Sequence, residues 1–161
     1  MTLREASAED IAFIVKTERL PGYETTIGRW SAEEHAAEMA KRSSRYLVAE
    51  ESGAKVAFAI LQTLDDPGGN IYLKRIAVTR QGQGIGLRTM AALQDYVFAL
   101  PGAHRFHLHF SSLNERGRRL YARAGFQHEG VEREVFALAD GTRVDSVRVS
   151  MLRREWEART G

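Results

Sequence analysis

An apolar run, Ile71 to Val78, passes through Thr79-Arg80-Gln81-Gly82-Gln83-Gly84-Ile85-Gly86 into a helix-like run from Ile85 to Phe98. No other stretch limits the fold as much. Three glycines at alternate positions sit where a strand hands over to a helix. Glycine admits positive φ and removes the side chains that hold a ligand off the backbone. Such a turn gathers N–H groups beside the positive end of a helix dipole, which is a geometry that binds phosphate or pyrophosphate. The spacing departs from the dinucleotide fingerprint, because Leu87 stands where its third glycine belongs, and no Gly-Lys-Ser/Thr follows as in a P-loop. Taken alone, the motif is equally that of a glycine-rich surface turn, so the flanking elements have to decide.

Those elements read clearly. Leu3 to Ala6 is a short strand, and Ser7 with Asp10 starts a helix whose apolar stripe is Ile11, Ile14 and Val15. Leu20-Pro21-Gly22-Tyr23 ends it, and an irregular loop with two aromatics, Tyr23 and Trp30, leads to a capping box, Ser31 and Glu34, for a helix to about Arg42. The loop aromatics suit either an acceptor pocket or a simple anchor to the core. Arg45 to Glu50 and Val56 to Leu64 form an antiparallel hairpin. After the glycine turn, Met90, Leu93, Val97 and Leu100 make a helical stripe, and Pro101-Gly102 stops it. His104 to Phe110 then alternates strictly, with Phe106, Leu108 and Phe110 on one face. Strand, crossover helix and strand predict a parallel pair, and ligands of open α/β sheets sit off the carboxyl ends of such strands. The glycine turn lies at that end, which favours a phosphate-binding role. Leu113, Leu120, Tyr121 and Ala124 are read as one face of a further helix ended by Gly125. Gln127 to Leu138 and Arg143 to Leu152 form a last hairpin, and residues 155–161 a frayed tail of a single domain, 1–161.

The chain of 161 residues is long enough for one sizeable core. Lysine plus arginine exceed aspartate plus glutamate by two (23 − 21), too little to argue for nucleic acid or a membrane surface. The absence of cysteine excludes disulfides, thiolate metal sites and a cysteine nucleophile. With no apolar leader at Met1–Glu5, the expected location is the cytoplasm.

Two signatures together resemble the GNAT superfamily of acyl-CoA-dependent N-acetyltransferases. One is Gln81-Gly82-Gln83-Gly84-Ile85-Gly86; the other is Asn114, then Tyr121 and Gly125-Phe126. The resemblance covers nearly the whole chain. It implies an α/β (α+β) fold with a mixed, mostly antiparallel sheet of about seven strands, a central splayed parallel pair and about four flanking helices. It implies acetyl-CoA as co-substrate, no metal, and a small-molecule or peptide amine as acceptor, with a homodimer as a further expectation. Main-chain amides of Gln81, Gly82, Gln83, Gly84, Ile85 and Gly86 would hold the pyrophosphate. Ile76, Ala77 and Val78 would pair through their backbone with the pantetheine arm, and Asn114 would hydrogen-bond the cofactor. Tyr121 would protonate the departing thiolate, a role that a phenol can fill as general acid. The competing function is a non-catalytic acyl-CoA sensor, which would not need Tyr121.

The sequence departs from the family at one point. Many members carry a glutamate base on the strand before the glycine loop, and Ile71 to Val78 has no carboxylate. His107, His109, Glu50 or a water chain remain as bases. Glu129, Glu132, Glu134, Asp140 and Asp145 would either attract a cationic acceptor or form an ordinary hairpin face balanced by Arg133, Arg143 and Arg148.

Overall fold

Seven strands form one sheet in the computed structural model, which describes residues 1–161 apart from the side chain of Thr160. They are β1 (Thr2–Glu5), β2 (Arg45–Glu51), β3 (Ala54–Gln62), β4 (Asn70–Val78), β5 (Arg105–Ser111), β6 (Gln127–Ala137) and β7 (Arg143–Leu152), in the order β1-β2-β3-β4-β5-β7-β6. Every pairing is antiparallel except β4 with β5. The helices are α1 (Ile11–Glu18), entered through a short 3₁₀ turn, α2 (Ala32–Met39), α3 (Ile85–Ala99), α4 (Glu115–Arg123) and α5 (Arg153–Thr160).

Helices cover both faces of the middle of the sheet, and this is why Ala57 to Leu61 of β3 are all fully buried. One core holds Leu73, Met90, Leu93, Val97, Phe106 and Met151 among its members. A second holds Ile14, Tyr23, Tyr46, Phe58, Ile60 and Ala77, and a small third holds Ala49, Ala57, Val78 and Ile85. The stripe read from α3 is thus correct: Met90, Leu93 and Val97 have no exposed surface. Leu113 is not part of the α4 face. It precedes the helix and is 60 % exposed, because Asn114, not an earlier residue, is the N-cap.

Residues 155–161 are not a frayed tail, and α5 is the helix missing from the expected count. Its first turn is fixed by Glu155, whose carboxylate accepts from Leu152 N–H at 2.8 Å. Trp156 stacks on Phe98 with ring centroids 5.4 Å apart, and its indole N–H donates to Asp95 at 3.0 Å. A single aromatic anchor of this kind outweighs the poor apolar content of the segment.

The feature that creates the site is in β4. Six residues of β3, Ala57–Gln62, face seven of β4, Tyr72–Val78, because Ile60 pairs with Arg75 and Leu61 with Leu73. Lys74 is the extra residue of a β-bulge, which bends its strand and sharpens the twist. β4 and β5 accordingly pair only at Asn70–Arg105, Ile71–Phe106 and Tyr72–His107. Beyond that point they diverge, and β5 continues against β7 alone.

Candidate active site

The divergence opens a cleft of about 680 Å³ between the carboxyl halves of β4 and β5. At its far end the chain turns through the glycine loop into α3. Gly82 and Gly84 have φ of +79° and +72°, a left-handed backbone that costs other residues about 1–2 kcal/mol each. Gly84 is the N-cap of α3. The N–H groups of Gly84, Ile85 and Gly86 donate to no described protein group, while Leu87 and Arg88 N–H turn back to Gly84 C=O. Those free donors and the dipole of a 15-residue helix together form an anion site. Arg80, Arg116 and Arg119 line the same end of the cleft. Gln81 and Gln83 contribute differently: the Gln83 carbonyl accepts from Arg88 at 3.2 Å, and Gln81 lies against Gly22 with its Nε2 buried and unpartnered.

Along the wall, alternation decides which main-chain groups are free. Thr79 N–H donates to Val56 C=O on β3, so Ala77 also turns its N–H and C=O to β3, opposite Phe58. Ile76 and Val78 present theirs to the splay. Ala77 therefore drops out of the expected backbone contact and serves the α1–α2 core through its side chain. At Val78 a side chain already occupies the edge: the Tyr23 hydroxyl accepts from Val78 N–H at 2.9 Å and donates to Val78 C=O at 3.0 Å. Tyr23 is both a core anchor and a cleft residue.

Tyr121 projects from α4 to the cleft wall and packs against Phe110 and Phe126, with centroids 5.2 and 6.1 Å away. Its hydroxyl makes no hydrogen bond to a described protein group. Burial pushes it well above the usual phenol range, and Tyr23 and Tyr72 nearby push it further. It therefore stays protonated at neutral pH, as an acid must before it acts. Asn114 caps α4, its Oδ1 accepting from Gly117 N–H at 2.9 Å. It also lines the cleft.

Of the bases considered, Glu50 is away from the cleft, paired with Arg4 at 2.9 Å. His107 faces a smaller neighbouring cavity; burial, with Arg105 nearby, lowers it to about 4. His109 lines the main cleft and shares a 2.7 Å hydrogen bond with the Tyr72 hydroxyl. Burial and Arg148 hold it below the ordinary histidine range, so it is neutral, with a basic nitrogen, at physiological pH. Of the hairpin carboxylates, Glu129 pairs with Arg105 of β5 and with Ser150, and Glu132 pairs with Arg148 at 3.0 Å. Asp145 accepts from Glu134 N–H and Asp140 from Thr142 N–H. None of the five lines the main cleft.

Sequence reasoning missed a buried charge cluster beneath the near wall. The Glu18 carboxylate has no exposed surface and accepts from Arg75 Nη1 at 2.8 Å, Trp30 N–H at 3.0 Å and Arg19 Nη1 at 2.8 Å. His35 Nε2 is 3.3 Å away, and its Nδ1 shares a hydrogen bond with Tyr46 at 3.0 Å. Burial alone would raise the Glu18 carboxyl. The donors from His35 and Trp30, with Arg75, overcome it and hold the group below the usual range. The cluster ties α1, α2 and β2 to the bulged part of β4. Trp30 stacks over Arg75 at 4.5 Å, with the Lys74 ammonium 5.8 Å from the same ring. Two consecutive side chains reach one ring because a bulge sets both on one face of the sheet.

The family model described as Acetyltransferase (GNAT) family matches residues 13–126. Among solved structures, a point mutant of spermidine N-acetyltransferase SpeG from Vibrio cholerae matches with a TM-score of 0.85 and 21 % identity over 100 % of both chains. Spermidine N-acetyltransferase from the same organism, in complex with CoA and spermine, matches at 0.84 and 20 %, over 97 % of each chain. A third structure of the enzyme, with manganese ions, matches at 0.82 and 21 %, over 99 % of this chain and 96 % of the other.

Proposed function

The chain belongs to the acetyltransferase (GNAT) family, and on that premise we propose that it moves the acetyl group of acetyl-CoA to a primary amine by direct attack in a ternary complex. The observation that carries this reading is a single cleft with unpartnered amides at Gly84–Gly86 at one end and a protonated phenol, Tyr121, on its wall. The cleft fits the co-substrate chemically: free N–H donors and arginines for phosphates, then an open main-chain edge at Ile76 for an amide-bearing arm. Asn114 keeps its amide nitrogen available beside that path.

At the bulge, Lys74 has no opposite number on β3. Main-chain N–H groups there are the preformed donors best placed for the oxygen of an attacked thioester carbonyl. Tyr121 then gives its proton to the leaving sulfur and recovers one from solvent. His109, neutral and braced by Tyr72, takes the proton released by the amine, directly or through a water. With no cysteine in the chain, transfer without an acyl-enzyme is the consistent route. The free amine must be unprotonated to attack, so rate should rise with pH until His109 and the amine are both neutral.

The test is release of free thiol from acetyl-CoA in the presence of an amine panel, with coenzyme A binding measured in parallel by calorimetry. Turnover with at least one primary amine is expected. Tight CoA binding with no turnover on any amine would replace the enzyme with a sensor. Stronger binding of ATP or NAD than of CoA would overturn both.

A further inference from the structure

The two ends of the cleft differ in what their charges have to do, and this bears on the acceptor. The argument rests on the acetyl-transfer reading above. At about 3.3 Å per residue, the four steps from Val78 back to Lys74 span about 13 Å of strand, with the glycine loop further still. That separation exceeds the screening length of about 8–10 Å in physiological salt, so Lys74 does not serve the phosphate end. Its neighbour Arg75 is cancelled by Glu18 at 2.8 Å. Lys74 itself makes no ion pair with a described carboxylate; its near contact is the Trp30 ring.

The other charged groups near this end already hold hydrogen bonds or ion pairs. Glu24, the carboxylate on the cleft lining, accepts from Gly22 N–H at 2.8 Å. Glu38, which Lys74 feels at a distance, is held by Lys41, Ser44 and Gln62. Outside the cleft lining, on β6, Glu132 is paired with Arg148; on the lining, His109 is hydrogen-bonded to Tyr72. Lys74 is exposed to the cleft, yet enough protein surrounds its ammonium that desolvation, and then Arg75, hold it below the ordinary lysine range. A polycationic acceptor would meet an unpaired like charge here, and the one carboxylate on the described cleft lining, Glu24, is already hydrogen-bonded to a main-chain amide. An anionic group would give Lys74 the partner that the protein does not.

We propose that Lys74 is the specificity-determining residue of the acceptor site and receives the carboxylate of an acceptor that carries both a primary amine and an acidic group, as amino acids do. Phe136 and Leu138, from the opposite wall, give such a molecule an apolar surface for its side chain. The chain would then differ in acceptor charge from the spermidine N-acetyltransferases whose fold it shares.

The experiment measures kcat/KM for α-, β- and γ-amino acids, for their carboxamides and for spermidine, with rates expressed per unprotonated amine, on wild type, Lys74→Met and Lys74→Arg. At least one amino acid should exceed its carboxamide by tenfold to a hundredfold, roughly the range for a hydrogen bond to a charged group. Lys74→Met should erase that ratio, Lys74→Arg should keep much of it, and both should bind coenzyme A as wild type does. Turnover of spermidine or the carboxamides without a carboxylate preference overturns the proposal, as does a preference that survives Lys74→Met, or no turnover of any carboxylate-bearing amine. Failure of wild type to bind coenzyme A is a different result, and it overturns the transferase reading beneath it.

Discussion

Replacing Tyr23 by phenylalanine separates two things that the hydroxyl does. The ring stays in the core formed with Ile14, Tyr46 and Phe58, so packing is preserved. What is lost is the pair of hydrogen bonds to Val78 N–H and C=O at 2.9 and 3.0 Å. At about 0.5–1.5 kcal/mol net for each bond, the pair is worth about 1–3 kcal/mol. Val78 borders an open cleft, so water replaces part of this, and about 1 kcal/mol is expected. For a chain of this size, that lowers Tm by about 2–4 °C. In the proposed mode of binding, the pantetheine arm would pair with the same two groups at Val78. Wild type must release Tyr23 before they are free, whereas the variant has nothing to release. The same ~1 kcal/mol then reappears as roughly fivefold tighter coenzyme A binding. Urea or thermal unfolding of the free protein and calorimetric titration with coenzyme A give the two numbers. They should move in opposite senses, less stable but tighter. If stability falls while affinity is unchanged or weaker, Tyr23 stays on Val78 in the complex and the competition argued here is wrong.

Other outcomes follow from the same geometry. Tyr121→Phe should lower kcat by about 10²–10⁴-fold, the usual range for a lost general acid, and leave the calorimetric Kd for coenzyme A unchanged. Gly84→Val places a β-branched residue at φ +72°; it should weaken coenzyme A binding and lower Tm, while Arg80→Gln should weaken binding alone. Glu18→Gln leaves Arg75 buried with its countercharge removed and should cost about 3–5 kcal/mol, read from urea midpoints. The acid limb of stability should carry the sign of Glu18: its folded carboxyl lies below the ordinary range, so its contribution is present above about pH 4.3 and is lost as pH falls through the lower folded value. A Glu18→Gln unfolding profile that keeps the wild-type acid limb would remove Glu18 as its source.

What the sequence disclosed was local. The glycine loop, the α3 stripe, the parallel β4–α3–β5 unit and the Asn114–Tyr121 helix all depend on residues near one another, and each lies where periodicity and turn chemistry put it. What it concealed was set by partners far along the chain. Glu18 reads as the polar side of an amphipathic helix, and only the fold brings Arg75, 57 residues on, to within 2.8 Å. Tyr23 was visible as a loop aromatic, but its hold on Val78, 55 residues away, was not. The bulge at Lys74 has no signature within β4, since it exists only relative to β3. The α5 helix was hidden because six charged or polar residues and one alanine surround its one anchor, Trp156. The hairpin carboxylates were visible as a group, but only the fold brings Glu129 to Arg105 of β5 and Glu132 to Arg148, and keeps all five off the cleft lining.

The six-against-seven count between β3 and β4 has a consequence of its own. Side-chain facing along a strand is a matter of parity. Leu73 and Arg75 already lie on opposite faces, opposite Leu61 and Ile60, so removing the residue at position 74 would make the ladder even and leave every other side chain on its own face. Arg75 would stay over Glu18 and Tyr72 beside His109; what would go is the local bend, and with it the reason for the two parallel strands to part after Tyr72. No exchange of one amino acid for another supplies or abolishes such an offset. The cleft between β4 and β5 thus rests on an offset in chain length between two paired strands.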